Sequence, residues 1–202
     1  MIDPKKVTDY KRNEWQLQEF LLYCICVAGK KSEIESPKVR SFCLDPRFGF
    51  NLLPFDFIRK SLAVYSCEED GLMQALKKHK IAPYQQRYNS FVDVVRLLDK
   101  DQYGLTRVTL EELQEVRGIS TKTSRFFLTH SREDFDEPVL DTHILRFLKD
   151  EGHDVPDSTP QNPKIYAEIA KIFSSIAQAQ KKSVTDLDLE VWTKYSYGLT
   201  NS

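Results

Sequence analysis

The 202-residue chain is poor in glycine, with seven, and carries only nine prolines. That scarcity excludes a collagen-like repeat or a low-complexity linker, and a hydrophobic content of 41% excludes a disordered tail. Cysteine occurs at 24, 26, 43 and 67 and nowhere in the C-terminal two-thirds. Those spacings form no metal site and argue against a disulfide framework, which suits a reducing, cytoplasmic location. The longest wholly apolar run is Phe20–Ala28, nine residues, about half of a membrane span, so no membrane partner is expected. The opening MIDPKKVTDYKRNEW is charged and lacks the apolar core of a secretory signal, so none is expected. The histidines at 79, 130, 143 and 153 do not pair at zinc-ligand spacing.

What is present fits one soluble domain, and a monomer is expected. The formal net charge is −1, but it is unevenly distributed. Residues 1–100 hold 17 basic and 13 acidic side chains, and residues 101–202 hold 12 and 17. Within the acidic half, Arg117, Lys122, Arg125 and Arg132 occupy a stretch without acids. Phosphate binding needs only such a local patch, because exposed charges are screened beyond roughly 8–10 Å.

Apolar residues recur at helical spacing, which predicts an all-α fold. Helices are expected over Trp15–Ala28, along the stripe Tyr88, Phe91, Val92, Val95 and Leu98, and after the capping box Thr109–Glu112. Others follow Ser120 or Thr121, Asp141 or Thr142, the proline loop 156–163, and the capping box Ser183–Asp186. Two helices should meet at Gly118-Ile119-Ser120. Glycine permits the tight reversal, Ile119 can anchor it, and the N–H groups opening the second helix can face an anion.

The stretch Val116-Arg-Gly-Ile-Ser-Thr-Lys-Thr-Ser124 resembles a helix-hairpin-helix DNA-binding motif, with Ser120 replacing the second glycine. Asp141, nineteen residues after Lys122, stands in the stretch Pro138-Val-Leu-Asp-Thr-His143. An aspartate there is most simply a helix cap. Hairpin, lysine and V-L-D-T-H in this order, however, resemble the helix-hairpin-helix superfamily of base-excision DNA glycosylases, sharply over about 105–150. The resemblance implies one catalytic domain over 1–202, with the hairpin at 109–130. It further implies a cleft between two lobes, about 36–130 and 1–35 plus 131–202. It implies Lys122 as nucleophile and Asp141 as catalytic carboxylate, with Arg117, Gly118, Ser120, Thr121, Thr123 and Arg125 facing DNA. The implied partner is double-stranded, or alternatively single-stranded, DNA containing a modified base.

These residue types suit the chemistry. Loss of a base builds positive charge on the sugar, which a carboxylate stabilises. A lysine amine attacking C1′ expels the base and leaves a Schiff base. β-Elimination of the 3′-phosphate then nicks the strand, so Lys122 points to the bifunctional glycosylase/lyase type.

Related branches carry four C-terminal cysteines for an iron–sulfur cluster; the cysteine positions here exclude such a cluster, and no cofactor is expected to be required. Family hairpins hold Na+ or K+ through backbone carbonyls, which implies Gln114, Val116 and Ile119. Asp188 and Trp192, four apart on one helical face, are similar to the closing helix of compact archaeal 8-oxoguanine DNA glycosylases, where such a pair lines the base pocket. The sequence therefore points to excision of an oxidised purine, 8-oxoguanine first. Removal of another modified base, such as a hypermodified phage-DNA base in defence, and a non-catalytic DNA-gripping module stay open. The segment Pro83–Asn89 could fill the gap left by a flipped base or merely cap a helix.

Overall fold

The computed structural model describes residues 2–3, 6–48, 52–63, 71–100 and 103–196. Among the described residues there are ten α-helices, two short 3-10 turns and no strand, as the apolar periodicity predicts. Cys67 lies outside the described residues. The chain forms two compact units, Met1–Phe127 and Leu128–Ser202. Residues 1–35 thus cluster with the first unit, whereas the lobe division implied by the resemblance joins them to the C-terminal part.

The first unit is organised around α1 (Glu14–Val27), which is buried continuously from Leu17 to Cys26. Asn13 starts it with a complete capping box: its side chain accepts from the Gln16 amide at 3.0 Å, and Gln16 returns a bond to the Asn13 amide at 2.9 Å. A helix apolar all round must be covered on every side. The helices α2 (Ser32–Cys43), α3 (Pro54–Ala63) and α5 (Tyr84–Lys100) pack on it, as does the turn Gly104–Thr106. Its two buried polar residues are satisfied from those neighbours. Gln18 accepts from the Phe55 amide at 2.9 Å, and Glu19 pairs with Arg40 at 3.2 Å. Phe20 stacks on Phe127 with ring centroids 5.6 Å apart.

The helices α2, α3 and α4 (Gly71–Lys78) carry no strong sequence signal. α2 is polar and holds Pro37 inside it, so packing rather than propensity sustains it. Beyond it, the Asp45 carboxylate is wholly buried, and it accepts from Arg47 at 2.8 Å, Lys78 at 2.9 Å and His79 at 2.6 Å. The Arg47 guanidinium, with His79 and Lys78, holds this carboxyl well below the usual carboxylate range against the opposing effect of burial.

After α5 comes the hairpin of α6 (Leu110–Glu115) and α7 (Thr121–Thr129), α7 crossing into the second unit. The Thr109–Glu112 capping box is present in both directions, at 2.7 and 3.2 Å. In the second unit, α8 (Thr142–Asp150), α9 (Pro163–Ala179) and α10 (Val184–Ser196) enclose a core of Ile144, Leu148, Tyr166, Phe173, Leu187 and Val191.

Gly118 has a φ of +83°, and a Cβ there would meet the Ser90 Oγ at 2.5 Å. Ser90 is fully buried and its hydroxyl donates to the Gln86 carbonyl at 2.9 Å, so it cannot turn aside without losing that bond. Gly118→Ala should destabilise the fold by at least about 1 kcal/mol in denaturant titration. Adding Ser90→Ala should recover the part due to the clash.

The depressed acidity of Asp45 sets a pH dependence. Its contribution is complete above its unfolded pKa of about 3.9 and is lost as pH falls through the lower folded value. Wild-type stability should therefore decline more steeply below about pH 4 than that of Asp45→Asn, as followed by urea midpoints across the acid range.

Candidate active site

The hairpin is built from α6, the turn and the start of α7, and it is seated on α5. Ile119 is buried, as expected of the anchor. Gly118 rests against Ser90, and Arg117 reaches Asp93, three residues further along α5. The Arg117 guanidinium donates to both carboxylate oxygens, one at 2.8 Å, and its backbone amide adds a third bond at 3.4 Å. Asp93 also pairs with Arg96 at 3.1 Å. The pairing lowers the Asp93 pKa and raises that of Arg117. Arg117, expected from sequence to meet phosphate, is thus exposed but committed to holding the turn.

Ser120 caps α7. Its Oγ accepts from the Thr123 amide at 3.1 Å and lies 3.0 Å from the Thr123 hydroxyl. The substitution of serine for the motif's second glycine therefore introduces a cap, at a position that does not have positive φ. Thr123 itself is buried with its hydroxyl turned to Ser120. Among the other residues expected at DNA, Ser120 is exposed, while Thr121 and Arg125 are half-buried. Arg125 donates back to the Thr121 carbonyl at 3.5 Å. Lys122, the second residue of α7, is half-buried in the helix's first turn. Among the proposed cation ligands, the Val116 carbonyl accepts from the Ile119 amide at 3.1 Å.

Asp141 belongs to the second unit and is the N-cap of α8. Its Oδ1 accepts from the His143 amide at 2.8 Å and the Ile144 amide at 3.0 Å. The capping role read from sequence is therefore present, and it fixes the carboxylate at a helix start. His143 contributes its backbone amide here. No group of three or more metal-ligating side chains occurs among the described residues.

Three residues that sequence reasoning missed hold the segment leading to Asp141. The Tyr166 hydroxyl, from α9, accepts from the Leu140 amide at 3.0 Å and donates to the Pro138 carbonyl at 2.9 Å. Thr159 donates to the Leu140 carbonyl at 2.8 Å. Asp136 caps α10, accepting from the Val184 and Thr185 amides at 3.1 Å each. The only sequence signal was a tyrosine within an apolar helical stripe, which reads as core. Asp188 and Trp192 are both half-buried on one face of α10. Nearby on that helix, Tyr195 donates to Asp150 at 2.6 Å, and burial pushes its hydroxyl up to about 12. Pro83 precedes α5 and Tyr84–Asn89 form its start, with Tyr84 and Asn89 half-buried, Gln85 and Gln86 exposed, and Arg87 buried against the Cys26 carbonyl.

Solved structures with this arrangement of helices identify the fold. The 8-oxoguanine DNA glycosylase of Thermotoga maritima superposes with a TM-score of 0.63 at 22% identity, over 92% of this chain and 82% of that one. An 8-oxoguanine glycosylase/lyase of Methanocaldococcus jannaschii, solved with a 15mer DNA containing 8-oxoguanine, superposes at 0.64 and 20% identity, over 98% and 90%. The fold is that of the 8-oxoguanine DNA glycosylases. No protein-family profile matches the chain. Over 117 residues, 58% of the chain, it is 32% identical to an 8-oxoguanine DNA glycosylase/AP lyase of Metallosphaera sedula. The chain spans about half the length of that curated relative, 54%. The superfamily resemblance carried by the hairpin and V-L-D-T-H thus agrees with both sequence and fold comparison.

Mutation separates the holding role of Arg117 from a DNA role. If the pair with Asp93 fixes the turn, Arg117→Ala and Asp93→Asn should each lower the melting temperature. The double mutant should melt no lower than the worse single one, as in a closed double-mutant cycle. Additive losses would show that the two residues act separately.

Proposed function

We propose that the protein is a bifunctional DNA glycosylase/AP lyase that excises an oxidised purine, 8-oxoguanine first, from duplex DNA by way of a Lys122 Schiff base. The observation that carries this reading is Lys122 in the first turn of α7, directly after a turn locked by Gly118. Its support is the glycosylase fold together with the 8-oxoguanine glycosylase/lyase relatives.

The amine of Lys122 attacks C1′ of a flipped nucleotide as the bond from C1′ to the base breaks. The departing base takes the bonding electrons and is protonated. The C1′–O4′ bond then breaks as a proton passes from the lysine nitrogen to O4′, and the nitrogen lone pair forms the iminium on the opened sugar. Asp141, as the carboxylate, stabilises the positive charge developing at the sugar. Its two amide bonds fix the direction of the carboxylate before substrate arrives. Loss of a C2′ proton then expels the 3′-phosphate and nicks the strand. The α7 N-terminus and Arg125 supply phosphate contacts.

The Gln114, Val116 and Ile119 carbonyls are the hard oxygen donors that Na+ or K+ takes, and a carbonyl that accepts one amide keeps a second lone pair. Such a cation would brace the turn; it takes no part in the chemistry.

Lys122→Gln should abolish borohydride trapping on 8-oxoguanine duplex and leave the melting curve unchanged; retained trapping would exclude this lysine as the Schiff-base former. Asp141→Asn should lose most base release yet keep nicking at a preformed abasic site, because the amine remains.

Trp192 and Asp188 are assigned to the base pocket. Stacking on an aromatic face is worth about 1–3 kcal/mol per base, so Trp192→Ala should slow excision by roughly one to two orders of magnitude. Abasic nicking, which needs no base recognition, should survive. Parallel loss of both activities with a lower melting temperature would mark Trp192 as core.

A further inference from the structure

The longest acid-free stretch of the chain is 71–92, and it contains Lys77, Lys78, Lys80 and Arg87. Arg87 is buried, but Lys77, Lys78 and Lys80 are exposed at the C-terminal end of α4. Lys78 and Arg47 both bind the same Oδ2 oxygen of Asp45, at 2.9 and 2.8 Å. His79 lies on that oxygen too, at 2.6 Å. One buried carboxylate thus fixes two cationic side chains that are themselves about half exposed, 53% for Lys78 and 41% for Arg47. Its single negative charge leaves the group positive in excess, with Lys77 and Lys80 beside it.

From these residues we infer a second phosphate-binding site in the first unit. Lys77, Lys78, Lys80 and Arg47 grip the DNA backbone away from the hairpin, and Asp45 acts as their positioning residue. The inference rests on the glycosylase reading for its choice of DNA as the polyanion. α5 supplies the spacing. It begins at Tyr84, four residues after Lys80, and it carries the hairpin at Ser90 and Asp93. At 1.5 Å per residue that is about 9–14 Å along the helix. With the intervening turn, the lysines stand on the order of 20 Å from the hairpin, or about six base pairs of duplex rise.

The geometry of Lys80 gives a test that folding cannot confound. Lys80 holds a left-handed φ of +56° while the Ile81 amide closes α4 onto the Leu76 carbonyl at 2.9 Å. Glycine suits that position better than lysine, so Lys80→Gly should not lower the melting temperature. Lys77→Ala lies at an exposed helical position. The double variant Lys77→Ala/Lys80→Gly is titrated against an undamaged duplex of about 20 base pairs over a salt series. Each lost phosphate contact should flatten the slope of log K against log salt by about 0.9, so a fall of nearly two is expected. Asp45→Asn, which frees the Arg47 and Lys78 side chains, should weaken binding although it removes a negative charge. An unchanged slope in the double variant would overturn the site. So would a slope loss seen equally on a free polyphosphate chain, which would mark a general polyanion patch. Borohydride trapping by the unaltered chain tests Lys122 separately. Trapping with an unchanged slope removes this site alone, and a lost slope without trapping removes the glycosylase reading and leaves the grip.

Discussion

The first unit depends on the burial of α1. A helix buried over ten consecutive positions has no face to give to water there, so each neighbour is recruited to cover it. The polar atoms it carries inward then tie those neighbours down. Gln18 holds the start of α3, Glu19 holds Arg40 of α2, and Glu14 accepts from the Leu105 amide at 3.3 Å. Phe20 reaches Phe126 and Phe127 and so fixes the helix that carries Lys122. The lysine's place follows from packing begun more than a hundred residues earlier in the chain.

Much of the site was legible because its signals are local. Glycine at a reversal, threonine and glutamate in a capping box, and aspartate before an apolar helix each act within four residues, so spacing alone reveals them. The helices α6, α7 and α8 begin where those signals stand. What was not legible is held at long range. The pairing of Arg117 with Asp93 spans 24 residues, and that of Tyr166 with Pro138 spans 28. Nothing in the residue types themselves tells a core tyrosine from one that orders a distant backbone. The polar, proline-containing α2 escaped for the same reason, since only its neighbours make it a helix.

The hairpin also shows how one motif position can change its means. Where the motif has glycine, Ser120 supplies a hydroxyl that closes the first turn of α7 on itself. One amide of that turn, from Thr123, is thereby spent inside the protein, and the donors left for an anion are those nearer the turn. The Arg117 guanidinium is likewise occupied, by Asp93, while it stays exposed.

Tyr166 makes the alignment of Asp141 a property of α9. Its hydroxyl supplies partners to one amide and one carbonyl of an otherwise irregular segment, and phenylalanine in its place would keep the ring packed while leaving both groups dry and unmatched. The strand-like approach to the carboxylate would then breathe independently of the surrounding core. Amide exchange at Leu140 would report that opening long before the unit as a whole unfolded. The order of the segment that ends in Asp141 is therefore stored partly in a side chain from a distant helix.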